Sequence, residues 1–182
     1  TINAEFNQRM NASLVPTFSI TPDLSSSLNL ENSEWDTDST FVLTYTVIDA
    51  NEDLAFFNIS LDSAINAQGN IQEPFSQDSI FYLDTENPVA AVTLDESDPF
   101  LIYFKLEFSE TMDTSMTPAL SFPVEDPLSG AMTFNASLSE WPDTLNNTYL
   151  AYYNVATNAQ LHDIDVTIGL AEDSLGNQMT PW

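Results

Sequence analysis

The chain repeats itself. The run Glu5-Phe6-Asn7-Gln8-Arg9-Met10-Asn11 returns as Glu107-Phe108-Ser109-Glu110-Thr111-Met112-Asp113, Pro16 as Pro118 and Trp35 as Trp141. Thr40-Phe41-Val42-Leu43-Thr44-Tyr45-Thr46-Val47 parallels Thr148-Tyr149-Leu150-Ala151-Tyr152-Tyr153-Asn154-Val155. Ala64-Ile65-Asn66-Ala67-Gln68-Gly69-Asn70 parallels Ala171-Glu172-Asp173-Ser174-Leu175-Gly176-Asn177. The offset drifts from 102 between Met10 and Met112 to 108 between Thr40 and Thr148, as loops of unequal length require. Matched anchors in one order define a tandem duplication, and such self-similarity governs architecture before any single motif does.

Within each repeat the hydrophobic period is two. Phe100, Ile102, Phe104, Leu106 and Phe108 alternate with neighbours that include Lys105 and Glu107. Phe41, Leu43, Tyr45 and Val47 do the same, as do Ile164, Val166, Ile168 and Leu170. Met132, Phe134, Ala136 and Leu138 form another such run, with Leu28 and Leu30 as its counterpart. Alternation of this kind predicts half-buried strands, and Ser, Asn, Asp and Pro clusters between them supply turns. No amphipathic helix of more than about two turns is legible. Seven or so short strands in each repeat predict a β-sandwich.

The fold expected is all-β: two tandem immunoglobulin-like sandwiches arranged end to end, over residues 1–84 and 88–182. The junction is Asp84-Thr85-Glu86-Asn87-Pro88, between a last strand at Ile80–Leu83 and a first strand at Val89–Leu94. Nothing in the first repeat matches Val89–Leu94, and nothing in the second matches Ile80–Leu83. The first domain is therefore expected to lack its opening strand and the second its closing strand, as in a piece cut out of phase from a longer array. Unpaired edges of that kind invite strands from another chain.

Composition narrows the partners. Twenty-eight acidic against two basic residues give a formal net charge of -26, and the two cations are Arg9 and Lys105. Nucleic acid is excluded, because displacing phosphate counterions takes Lys and Arg. An anionic membrane surface is excluded on the same sign argument, and no apolar run approaches 18 residues. Aromatic residues make up 12%, enough for a packed core despite the charge. Without cysteine there is no disulfide framework, thiol catalysis or thiolate zinc site. A single histidine, His162, leaves a serine-protease-like triad only that one base.

The ordered combination of Phe108-Ser109-Glu110-Thr111-Met112-Asp113, Asp173-Ser174-Leu175-Gly176-Asn177 and Phe81-Tyr82-Leu83-Asp84-Thr85-Glu86-Asn87-Pro88 resembles a known family. It is similar to the tandem bacterial immunoglobulin-like domains of adhesins, S-layer-type proteins and surface proteins of gliding bacteria. The first repeat departs from the pattern, with Asn7-Gln8-Arg9 in place of Ser-Glu-Thr and Asn66 in place of the Asp. The resemblance implies an extracellular spacer, stalk or adhesive module without catalysis, whose partners are adjacent repeats or further copies of itself.

Individual motifs divide between structure and function. Gly69-Asn70 and Gly176-Asn177 suit turns that need positive φ. Trp35 and Trp141, at equivalent places, read as packing residues; stacking a surface glycan is the alternative, with Tyr149, Tyr152 and Tyr153 as further platforms. Asp84, Glu86 and Asn87, with Asp95, Glu96 and Asp98 in the loop after the next strand, are candidate Ca²⁺ ligands stiffening the junction. The same acids read equally as a solvated surface suited to a saline medium. Asp62-Ser63-Ala64, Asp78-Ser79-Ile80, Asp143-Thr144-Leu145 and Asp173-Ser174-Leu175 resemble an O-glycosylation pattern. Asn11, Asn58, Asn135 and Asn146 open Asn-x-Ser/Thr triplets.

Overall fold

A computed structural model of the chain describes residues 1–54, 56–124, 126–157, 159 and 164–180. Apart from a 3₁₀ turn at Pro127–Ser129, every regular element there is a strand, so the fold is all-β and sandwich-like. The chain divides into two compact units, Thr1–Glu86 and Asn87–Trp182.

The first unit contains β1 (Ile2–Glu5), β2 (Thr17–Thr21), β3 (Leu28–Trp35), β4 (Thr40–Val47), β5 (Asp53–Leu54), β6 (Asn58–Asp62), β7 (Phe75–Gln77) and β8 (Leu83–Asp84). They form antiparallel sheets in the orders β1-β4-β3, β2-β6-β7 and β5-β8. The second unit contains β9 (Ala90–Asp98), β10 (Leu101–Phe108), β11 (Ala119–Ser121), β12 (Met132–Phe134), β13 (Thr148–Val155) and β14 (Thr167–Gly169). Its sheets run β12-β13-β10-β9 and β11-β14.

The duplication in sequence is a duplication of strand register. Glu5 faces Thr40 across β1 and β4, and Glu107 faces Thr148 across β10 and β13. Leu28 and Leu30 face Val47 and Tyr45; Met132 and Phe134 face the equivalent Val155 and Tyr153. Phe18 opposes Leu61 where Leu120 opposes Ile168. Beside those pairs, the Ser19 and Ser60 hydroxyls meet at 2.7 Å and the Ser121 and Thr167 hydroxyls at 2.5 Å. A one-residue slip would turn each strand inside out, so agreement on three ladders ties the register to the repeated hydrophobic pattern.

Alternation produces the strands. On β10, Ile102, Phe104, Leu106 and Phe108 are buried while Tyr103, Lys105 and Glu107 face outward. The regular ladders stop short of the hydrophobic pattern in several places, among them Phe100 before β10 and Ile164 and Val166 before β14. The run beginning at Met132 leaves the sheet after Phe134, where the Leu138 and Ser139 N–H groups both bond to the Asn135 carbonyl in a turn. β14 ends at Gly169 because Leu170 has φ 55°, and its side chain is 71% exposed. Ile80 and Phe81 exchange backbone bonds with Phe57, between the positive-φ residues Phe56 and Ser79, and only Leu83–Asp84 pair regularly. In the other direction, β9 runs four residues past Leu94.

The two interiors differ. The second unit buries one continuous core, with Phe104, Leu106, Phe108, Met132, Tyr149, Tyr153 and Ile168 among its members and Ile164 and Val166 packed against it. In the first unit one buried cluster is Leu24, Phe57 and Leu83, with Ile20, Leu28 and Phe81 beside it, and Met10, Phe41, Leu43, Ile59, Leu61 and Ala64 are buried as well.

Candidate functional site

The contrast between interiors is sharpest along β1. Ile2, Ala4 and Phe6 occupy the positions of Phe104, Leu106 and Phe108. The latter are 3%, 0% and 5% exposed, whereas Ile2, Ala4 and Phe6 are half-buried. Two causes combine. Ala4 and Ile2 are smaller than their counterparts, and among the described residues β1 has a strand on one side only, whereas β10 lies between β13 and β9. The result is a cavity of about 1110 Å³ bounded by both main sheets of the first unit.

Its walls are apolar: Ile2 and Ala4 from β1, Phe18 and Leu61 from the opposite sheet, Tyr45 from β4 and the loop residue Phe81. Burial raises the Tyr45 phenol above its ordinary value. Polar groups lie on β1 and beside β7, among them Asn3, Glu5, Asn7, Gln8 and Glu73. Gln72 also lines the cavity, and its Oε1 is buried with no hydrogen-bond partner among the described residues. Among the described residues the lining offers the carboxylates of Glu5 and Glu73 and no histidine or lysine. Apolar side chains thus form most of the inward-facing wall, with the polar groups toward its rim strand.

Backbone polarity at the edge follows from the ladders. The Phe6 N–H donates to the Ser39 carbonyl at 2.8 Å and the Phe108 N–H to the Asn147 carbonyl at 2.8 Å, each toward the inner neighbour. Alternate residues must then point the other way. In the second unit they do: the Ser109 N–H donates to the Val89 carbonyl at 2.8 Å. In the first unit the corresponding groups of Asn3, Glu5 and Asn7 point to the open side.

The Asp84 Oδ1 accepts the Glu86 N–H at 2.9 Å within the first unit. In the second unit Asp95, Glu96 and Asp98 lie on β9 and not in a loop. Val89 is held opposite Ser109, so Asp95 lies six extended steps away, about 20 Å. Asn87, two residues before Val89, cannot bridge that gap to share an ion whose ligand oxygens lie about 2.5 Å from it. Both Asp95 oxygens are already engaged, Oδ1 by the Ser97 N–H at 2.9 Å and Oδ2 by the Tyr103 hydroxyl at 3.1 Å. Bonds from Ser97, and then from Tyr103, hold its carboxyl below the usual range and raise the Tyr103 phenol.

The aromatic candidates pack against other rings. Trp35 packs on Phe6 and Phe41, each at 5.3 Å between ring centroids, and donates its indole N–H to the Leu14 carbonyl at 2.9 Å. Trp141 repeats the trio with Phe108 at 5.7 Å and Tyr149 at 5.0 Å. Tyr149 and Tyr153 are core residues, and Tyr152 lies on the other face of β13 against Tyr103. His162 lies outside the described residues.

A feature underrated by motif reading is the pair Asn66 and Asp173, 5% and 2% exposed. Each pairs with a methionine of the other repeat motif, Met10 or Met112. The Asn66 Oδ1 accepts the Gln68 and Asn70 N–H groups at 3.0 and 2.8 Å, and its Nδ2 donates to the Gln8 Oε1 at 3.2 Å. The Asp173 Oδ1 accepts the Leu175 and Asn177 N–H groups, both at 2.8 Å, and its Oδ2 accepts the Asn177 Nδ2 at 2.8 Å. Gly69 and Gly176, at φ 90° and 97°, close the two turns.

No family model, characterised protein or solved structure matches the chain.

Proposed function

We propose that the chain is a pair of immunoglobulin-like β-sandwich domains from an extracellular bacterial adhesin, fibre or surface appendage, acting there as a spacer or assembly module. The observation that carries this reading is the shared register of three strand ladders in the two units. A construction repeated residue for residue within one chain is how arrays gain length, each unit adding reach. Charge fits the same role: 28 acidic residues against two basic ones keep such a chain hydrated and apart from its neighbours.

The role is mechanical, not catalytic. A glycan-binding module is the rival, and it needs exposed aromatic platforms. Trp35 and Trp141 are engaged in ring packing, and the exposed Phe56 and Tyr82 meet edge to face at 64°.

Deleting or duplicating the 182-residue segment within its parent protein tests the reading. Surface structures seen by electron microscopy should shorten or lengthen while binding to the parent's target is unchanged. Unchanged length, or loss of target binding on deletion, would contradict it.

A further inference from the structure

We infer that Asn11 is an attachment site for a sugar, and that the fold selects it from the four Asn-x-Ser/Thr triplets of the chain. Its side-chain amide takes a glycosyl group from a donor whose anomeric carbon is linked to a pyrophosphate. The bond from Nδ2 to that carbon forms as the carbon–oxygen bond to the pyrophosphate breaks. The pyrophosphate leaves with the electron pair, and one amide proton passes to a base on the transferase. This modification goes beyond the mechanical role proposed above and does not depend on it.

Attachment needs an amide nitrogen that is free to react and a hydroxyl two residues on that an enzyme can reach, on backbone not locked inside a sheet. Residues 11–15 meet these conditions. All five are exposed, between the buried Met10 and Pro16. The Asn11 N–H donates to the Ile65 carbonyl at 2.8 Å, and the Asn11 carbonyl accepts the Leu14 N–H at 3.0 Å, so the segment is a tight turn held at its base. Within it the Asn11 Oδ1 accepts the Ser13 N–H at 3.1 Å. That bond occupies the carboxamide oxygen. The Asn11 Nδ2 and the Ser13 hydroxyl make no hydrogen bond among the described residues.

The other three triplets are engaged. Asn58-Ile59-Ser60 lies in β6, the middle strand of its sheet. There the Asn58 Oδ1 accepts the Ser79 N–H at 3.1 Å, and the Ser60 hydroxyl is paired with that of Ser19. The Asn135 Nδ2 donates to the Asn154 Oδ1 at 3.1 Å, which ties up the reacting nitrogen itself. Asn146-Asn147-Thr148 runs into β13 with Asn146 and Thr148 half-buried, and the Asn146 carbonyl accepts the Met112 N–H at 2.9 Å. The repeat adds a comparison. Asp113 builds the same turn in the second unit, its Oδ1 accepting the Ser115 N–H at 2.8 Å and its carbonyl the Met116 N–H at 3.1 Å. A carboxylate therefore makes this turn as well as an amide does. The amide nitrogen at position 11 is spare for chemistry that turn formation does not require.

Mass spectrometry of protease fragments tests the inference. In the protein from its natural source, the fragment carrying Asn11 should be heavier by a glycosyl mass, and the fragments carrying Asn58, Asn135 and Asn146 should not. The folded chain is also incubated with a transferase that uses a nucleotide-linked hexose, and separately with one that uses a lipid-pyrophosphate-linked oligosaccharide. One of them should modify Asn11 at least tenfold faster than the other three positions, and which one succeeds identifies the carrier of the donor. Four short peptides, one for each triplet, are the unfolded references and should show no preference for Asn11. Ser13→Ala should abolish modification by removing the hydroxyl while keeping the turn's N–H. Asn11→Asp should abolish it with the thermal midpoint unchanged, because Asp113 already makes the same turn. Four results would overturn the inference: an unmodified Asn11 in the natural protein, failure of both transferases, equal rates at two or more triplets, or a preference for Asn11 already present in the peptides.

Discussion

Leu106→Ala lowers the stability of the second unit by about 3–5 kcal/mol, whereas Ile2→Ala lowers that of the first by about 1 kcal/mol or less. Leu106 is 0% exposed, within a strand flanked on both sides, and its neighbours Phe104, Phe108 and Tyr149 are locked in one core. Removing its isobutyl group therefore adds a cavity penalty to the loss of apolar burial, since close-packed surroundings relax only in part. Ile2 already borders an open cavity and is half-buried, so truncation enlarges an existing space and forfeits part of one side chain's transfer energy. Urea unfolding resolved by the amide signals of β10 and β4 measures both. Equal costs in the two units would mean that the groove of the first is as well packed as the core of the second.

Asp173→Ala is expected to cost on the order of 3 kcal/mol, and Asp173→Asn about 1 kcal/mol or less. The carboxylate is 2% exposed and takes two backbone N–H groups and the Asn177 amide. Alanine leaves those donors without an acceptor in a place water does not reach, and each such loss carries the desolvation penalty of the orphaned group. Asparagine keeps an acceptor oxygen, and the first unit shows that the turn works with it: Asn66 holds the equivalent two N–H groups and gives its own N–H to Gln8. Glu110 occupies the Gln8 position in the second repeat and can accept that donor. The same urea experiment reads this prediction. Comparable losses for the alanine and asparagine variants would show that the negative charge itself, not the acceptor geometry, stabilises the turn.

Much of the fold is legible in the sequence because period-two alternation and the repeat specify the same answer independently. The Glu-Phe run, the Thr40 and Thr148 strands and the aromatic trios around Trp35 and Trp141 each fix a register that the ladders then share. What alternation could not show is where a strand leaves its sheet. Leu170 continues the pattern in type but turns away with positive φ, and Ile80–Phe81 pair irregularly between two more such residues. The acids at 95–98 read as a loop because charge marks exposure, yet an edge strand with one solvated face tolerates the same charge. The groove left a trace that composition hides: aligned repeats put Ala4 against Leu106 and Ile2 against Phe104, a loss of core volume on the strand that also lacks an upstream partner in the alignment. Clustering of Asn87 and Asp95 in sequence likewise hid the length of β9 that separates them.

Amide hydrogen exchange of the chain alone, at a concentration where it is monomeric, tests the central claim most directly: one construction used twice, with the outer edge of the Glu-Phe strand paired in the second unit and, among the described residues of this 182-residue chain, unpaired in the first. The N–H groups of Lys105 and Glu107 point toward β9 and should exchange at least a hundredfold more slowly than those of Asn3 and Glu5, which should exchange near the rate of an unstructured peptide. Equal protection on β1 and β10 would contradict the account, because it would mean that the edge of the first unit is already closed.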